Sequence, residues 1–153
     1  MRIVGFNFNK IEAERITPEI NSKIQIASNI SIKSIEQEHL EVMQNQPTLK
    51  INFEFSIDYK KNIARIAFHG FVLLLTDKVK SKQILKDWKS KKISDDIRLF
   101  IFNFILSRCN LRALQFEEEF ALPSHIPMPK ISPKPDEPDK EDNKDSNNTN
   151  YTG

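Results

Sequence analysis

A chain of 153 residues, 39% of them hydrophobic, is sized for one domain with a core of its own. Its formal charge of +2 is near balance, and its three glycines are too few for the Gly-rich phosphate loops of nucleotide-binding enzymes. Cys109 is the single cysteine, which excludes an internal disulfide and, with no basic-then-apolar leader, gives a cytoplasmic protein as the expectation.

Residues 2–15 read as a strand. Val4, Phe6 and Phe8 share one face against Asn7 and Asn9, and the phase then shifts to Ile11 and Ala13. One extra residue near Asn9 or Lys10 would produce that shift, so a bulge is expected there. Phe6 and Phe8 are either core or the aromatic lining of a peptide groove. Residues 23–35 form a second strand, with Ile24, Ile26, Ile30 and Ile32 on one side and polar residues on the other. That pattern belongs to an antiparallel sheet with one solvated face. Residues 36–47 are a polar connection.

Residues 49–59 alternate without a fault: Leu49, Ile51, Phe53, Phe55, Ile57 and Tyr59 face one way. Lys60-Lys61-Asn62 is a tight turn, in which Asn62 tolerates the left-handed conformation. Residues 63–75 return as a fourth strand, with Ile66, Phe68, Val72 and Leu74 on the core face. Phe71, Leu73 and Leu75 make its end apolar on the other face too, which is more than one helix layer covers. These three are oligomer-interface candidates. His69 is a sheet-face residue.

Asp77 caps a first helix, Lys78 to about Lys92, with a narrow apolar stripe of Ile84, Leu85 and Trp88. Seven lysines crowd the rest. They form a solvated face or a basic patch for RNA, the ribosome or an acidic partner, with no aromatic residues interleaved for stacking.

A long helix follows, Ser94 to Leu122, with Ser94 at its N-cap and Asp95 and Asp96 at the positive end of its dipole. Leu99, Phe102, Leu106, Cys109, Ala113, Phe116 and Phe120 alternate three and four apart, the spacing of a stripe packed on a sheet. Ile97, Phe100, Ile101, Phe104 and Ile105 lie off that stripe. With Phe102, they make the first half apolar almost all round and are expected to form an oligomer interface. The run is shorter than the ~20 apolar residues that span a bilayer. Leu122-Pro-Ser-His-Ile-Pro-Met-Pro129 is a rigid, extended exit, where Ile126 and Met128 can pack on the domain. Residues 132–153 carry three Lys and six Asp/Glu and form an expected disordered polar tail. The remainder holds 20 basic against 15 acidic residues, a weak indication of a nucleic-acid partner.

His39, His69 and His125 stand at no ligand spacing, and no nucleophile elbow occurs. Glu117, Glu118 and Glu119 fan around the helix and read as a solvated face. No catalytic residue, metal or cofactor is expected, and the chain reads as a non-enzymatic binding module.

The order of four long strands, a short helix, a long helix and a proline-rich exit resembles the SecB-like family, the bacterial export chaperone and its archaeal relatives. The residues carrying this are IEAERI at 11–16, INFEFSIDY at 51–59, NIARIAFHGFVLLL at 62–75 and ILSRCNLRALQFEEEFALPSHIPMPKI at 105–131. The resemblance spans residues 2 to about 131 and implies an α+β fold over a domain at 1–131: a four-stranded antiparallel Greek-key sheet with a short and a long C-terminal helix. It also implies a dimer or dimer of dimers, a homotetramer. The implied role is an ATP-independent chaperone that holds unfolded or preprotein chains in apolar grooves, with a link to protein export. Phe6, Phe8, Phe116, Phe120, Leu122, Ile126 and Met128 would line those grooves. The tail does not resemble the one with which bacterial members dock the export motor. The alternatives are an RNA- or ribosome-associated module using Lys78–Lys92 and an interaction scaffold that binds no unfolded chains.

Overall fold

A computed structural model describes residues 1–18, 23–40 and 46–133. The expected disordered tail lies outside these residues from 134 onward. Four strands run in chain order, β1 (Arg2–Arg15), β2 (Ile26–Glu38), β3 (Thr48–Tyr59) and β4 (Ala64–Leu75), followed by α1 (Lys78–Lys89) and α2 (Asp95–Glu119). The strands form one antiparallel sheet in the order β1-β4-β3-β2. β2, β3 and β4 are a meander and β1 closes on β4, which is Greek-key connectivity. β1 and β2 are the edges.

The core follows from the alternation in β3. Leu49, Ile51, Phe55 and Ile57 stand opposite Leu74, Val72, Phe68 and Ile66, and all are buried under the helices. Phe53 stands opposite Gly70, and this glycine is required. A Cβ there would lie 2.3 Å from the Asn7 carbonyl oxygen and 2.9 Å from the Phe53 ring. The expected bulge in β1 is present: Phe8 pairs with Gly70 and Lys10 with His69, leaving Asn9 over. It keeps Phe6, Phe8, Ile11 and Ala13 on the core side across the phase change. Two further irregularities, at Val4 and Lys33, were not anticipated; the second places Ile32 and Ile35 on the same side. The turn into β4 has both Lys61 (φ 63°) and Asn62 (φ 56°) left-handed.

In α1, the Asp77 carboxylate accepts from the Lys80 backbone N–H at 2.8 Å. In α2, Ser94 occupies the N-cap position, but its side chain makes no capping bond, contrary to expectation. The expected apolar stripe needs correcting as well. The buried line is Ile101, Ile105, Cys109, Ala113 and Glu117, each four residues on, while Leu99 is 56% exposed. The helix lies over β4 and presents a drifting i, i+4 line to it. Ile101 and Ile105 are therefore part of this chain's own core, and neither is available to a second chain. Leu75 is likewise covered by its own chain, whereas Phe71 and Leu73 are half-buried on the outer sheet face. Leu73 packs across Gly5 and the Lys50 ammonium sits over the Phe71 ring, so part of the apolar surplus there is absorbed locally. No described helix is long and apolar enough to cross a membrane.

Candidate functional site

Two places on α2 carry more structure than the fold requires. On one flank, α2 faces the edge strand. Phe6, Asn7 and Phe8 of β1 with Arg108, Leu111, Arg112 and Gln115 of α2 line an open groove of about 340 Å³. The groove runs along α2 from Arg108 to Gln115, a rise of ~10 Å. That length accommodates about three residues of extended chain at ~3.3 Å each. Its floor is aromatic and continuous with the core: Phe6 packs edge-on against Phe8 (4.9 Å) and Phe104 (5.8 Å) and stacks on Phe53 (5.5 Å). Leu111 is 67% exposed at its rim. Beside this floor, the outer edge of β1 leaves a row of backbone groups without a strand partner among the described residues.

On the other flank, the proline exit is locked down. Arg15 first ties the helix end to β1: its guanidinium donates to the carbonyls of Phe120 (2.8 Å), Ala121 (3.2 Å), Thr17 (3.2 Å) and Pro18 (2.6 Å). The Phe120 carbonyl belongs to the helix C-cap, and that of Ala121 to the next residue out. Ala121 then turns left-handed (φ 50°), and Leu122 N–H donates back to the Glu117 carbonyl at 2.7 Å. The reversal buries Leu122 and brings His125 against Glu117. One carboxylate oxygen of Glu117 receives the Tyr59 hydroxyl (2.8 Å), the His125 backbone N–H (3.0 Å) and His125 Nδ1 (2.7 Å). His125 Nε2 lies 3.0 Å from Asn110 Oδ1, so the ring bridges two helix residues. The Tyr59 hydroxyl is also 2.7 Å from the Pro123 carbonyl and, with one proton, donates to one acceptor at a time. Burial, and secondarily the hydrogen bond and charge of Glu117, push the Tyr59 hydroxyl well above its ordinary pKa. The Glu117 and His125 side chains are each only 2% exposed, and Glu117 Oε2 has no partner among the described residues. The expectation of a solvated Glu117–Glu119 face holds for Glu118 and Glu119 and fails for Glu117. Sequence reasoning missed this network, although Glu117 continues the i, i+4 line from Ile101.

The residues expected to share a client groove are divided by α2. Phe6 and Phe8 line the groove. Phe116 packs on Phe68 and lies under Arg112, and Phe120 is the half-buried helix cap. Leu122, Ile126 and Met128 follow the exit segment, buried, half-buried and exposed in turn, and none of the five lines the groove. Of the interface candidates, Phe100 is exposed while Ile97, Phe102 and Phe104 are half-buried. In α1 the lysines are exposed, but Trp88 is not apart from them. Lys91 sits over its ring at 4.3 Å, beside Lys92 and Arg98 in a second open depression of about 540 Å³. No group of three or more His, Cys, Asp or Glu is placed to hold a metal among the described residues.

The architecture is thus an open four-stranded antiparallel sheet with two C-terminal helices on one face. No family model and no curated protein matches the sequence. Among solved structures, the chain is similar to the SecB-like chaperone Rv1957 of Mycobacterium tuberculosis, in complex with a ChAD peptide from the Rv1956 HigA1 antitoxin. The identity is 12%, the match covers 86% of this chain and 91% of that one, and the TM-score is 0.46.

Proposed function

We propose that this chain is a SecB-like holdase, which keeps unfolded polypeptides from aggregating without nucleotide. Clients bind as short extended segments in the groove between β1 and α2. The observation that carries this reading is the coincidence of a 14-residue edge strand, whose outer edge has no strand partner among the described residues, with an aromatic-floored groove running beside it. An extended client would add backbone hydrogen bonds along β1 and place alternate side chains on Phe6, Phe8 and Leu111. Backbone pairing reads no sequence, which suits a protein that takes many clients. The reading includes no catalytic step or cofactor. It puts the protein in the cytoplasm as a dimer or dimer of dimers, with copies meeting through the outward side of α2 at Ile97, Leu99 and Phe100, and it admits a role in export.

The test is light scattering from a chemically denatured client diluted with and without the protein, beside a native mass measurement. Suppressed aggregation, lost in Leu111→Glu, is expected; a monomer that leaves aggregation unchanged would end this reading. A second reading, an RNA- or ribosome-associated module, is favoured by Lys91, Lys92 and Arg98 around Trp88. Absorbance at 260 nm retained by the purified protein and lost at high salt would support it.

A further inference from the structure

We infer that the β1–α2 groove selects extended segments that place carboxylate side chains next to apolar ones. This rests on the groove being the client site and adds the chemistry of what it prefers.

The groove wall carries Arg108 and Arg112, one helical turn apart. Neither has a carboxylate within 4.0 Å among the described residues, whereas Arg65 pairs with Glu54 and Asp58, and Arg98 with Asp95. Both guanidinium groups are nonetheless positioned. Arg108 lies 5.5 Å from the Phe104 ring centre and Arg112 lies 5.1 Å from that of Phe116, with one N–H of Arg112 donating to Gln115 at 2.6 Å. A guanidinium resting over a ring leaves planar N–H donors for a ligand, and that planar fork suits bidentate capture of a carboxylate.

The spacing fits the same occupant. Positions i and i+4 on a helix are about 6 Å apart. Side chains two residues apart on one face of a strand are about 6.6 Å apart. An added strand could therefore present two carboxylates to Arg108 and Arg112 while an apolar side chain two residues further on reaches Phe6 and Phe8.

Around His69, the opposite face of the sheet is charge-balanced among the described residues. There, Lys10 pairs with Glu12 at 2.8 Å, His69 lies 3.5 Å from Glu12, and Glu54 is held by Lys33 and Arg65. Beside Phe6 and Phe8 the cations without a carboxylate among the described residues stand in the groove; a second cation-rich surface is the α1 side around Trp88, Lys91 and Lys92.

The experiment is fluorescence anisotropy of the full chain with two labelled peptides of equal length and identical apolar residues. One carries two glutamates two residues apart and the other carries lysines at those positions. At low ionic strength the acidic peptide should bind roughly five- to tenfold more tightly, as two exposed ion pairs allow. The preference should shrink in about 1 M salt, where the screening length falls to about 3 Å. R108Q/R112Q should abolish it and R108E/R112E should invert it; both arginines are exposed, so neither variant removes core packing. Equal affinity for the two peptides, or an unchanged preference in R108E/R112E, would overturn the charge selectivity and leave the holdase reading standing. Binding of neither peptide would instead overturn the client site itself.

Discussion

Glu117→Ala should destabilise the fold by about 3 kcal/mol, although it removes a single acidic residue from a run of three. The magnitude follows from what converges on one oxygen. All three donors share this one carboxylate oxygen; the bonds from the Tyr59 hydroxyl, which has the Pro123 carbonyl as a second acceptor, and from the His125 backbone N–H, at 2.8 and 3.0 Å, are worth about 1 kcal/mol each. The contact to His125 Nδ1 is the shortest of the three, at 2.7 Å, and is worth about 1.5–3 kcal/mol. Against these stands Glu117 Oε2, buried without a partner among the described residues, whose removal returns about 1 kcal/mol or more. Urea denaturation at fixed protein concentration measures the sum, because the proposed assembly would add a concentration-dependent term. His125→Ala should cost less, since it keeps the backbone N–H donor. The double variant should show positive coupling of ~1–2 kcal/mol. Limited proteolysis should cut residues 123–131 faster in both, because His125 is what holds the exit segment to Asn110 and Glu117. A loss under about 1 kcal/mol for Glu117→Ala, with no coupling, would refute the reasoning.

Gly70→Ala should cost about 3 kcal/mol or prevent folding, read by thermal denaturation, because the added methyl meets backbone rather than a movable side chain. Cys109 is buried and its thiol is pushed up to about 12 from 9.0 by desolvation. The unfolded thiol ionises first, so this contribution to stability is complete below pH 9 and is lost as pH rises toward 12. The wild type should lose up to about 1.4 kcal/mol per pH unit more than Cys109→Ala over that window. A parallel pH dependence in the two would contradict the burial. Leu99→Glu with Phe100→Glu should lower the native mass while the circular dichroism is retained, and an unchanged mass would remove α2 from the assembly interface.

The sheet was legible because its constraints are local. The unbroken alternation in β3 set the core face, and the phase change between Phe8 and Ile11 disclosed the bulge. The same logic applied to Ile32 and Ile35 would have found the bulge in β2. Helix α2 was harder because residues 97–106 are apolar nearly all round, so several stripes fit and only contact with β4 picks out the line through Ile101 and Ile105. Glu117 was hidden for a different reason. Its burial depends on Tyr59, 58 residues away, and on a chain reversal at Ala121 that no residue preference announces. The groove was half legible: Phe6 and Phe8 stood out, while Arg108, Leu111, Arg112 and Gln115 looked like an ordinary exposed face until β1 was placed beside them.

The central claim, that clients add to β1 beside α2, is tested most directly by amide hydrogen exchange of the full chain with and without an unfolded client. Added client should slow exchange in residues 2–15 and around Arg108–Gln115, and leave β3 as it was. Protection confined to the α1 surface, or none along β1, would contradict it.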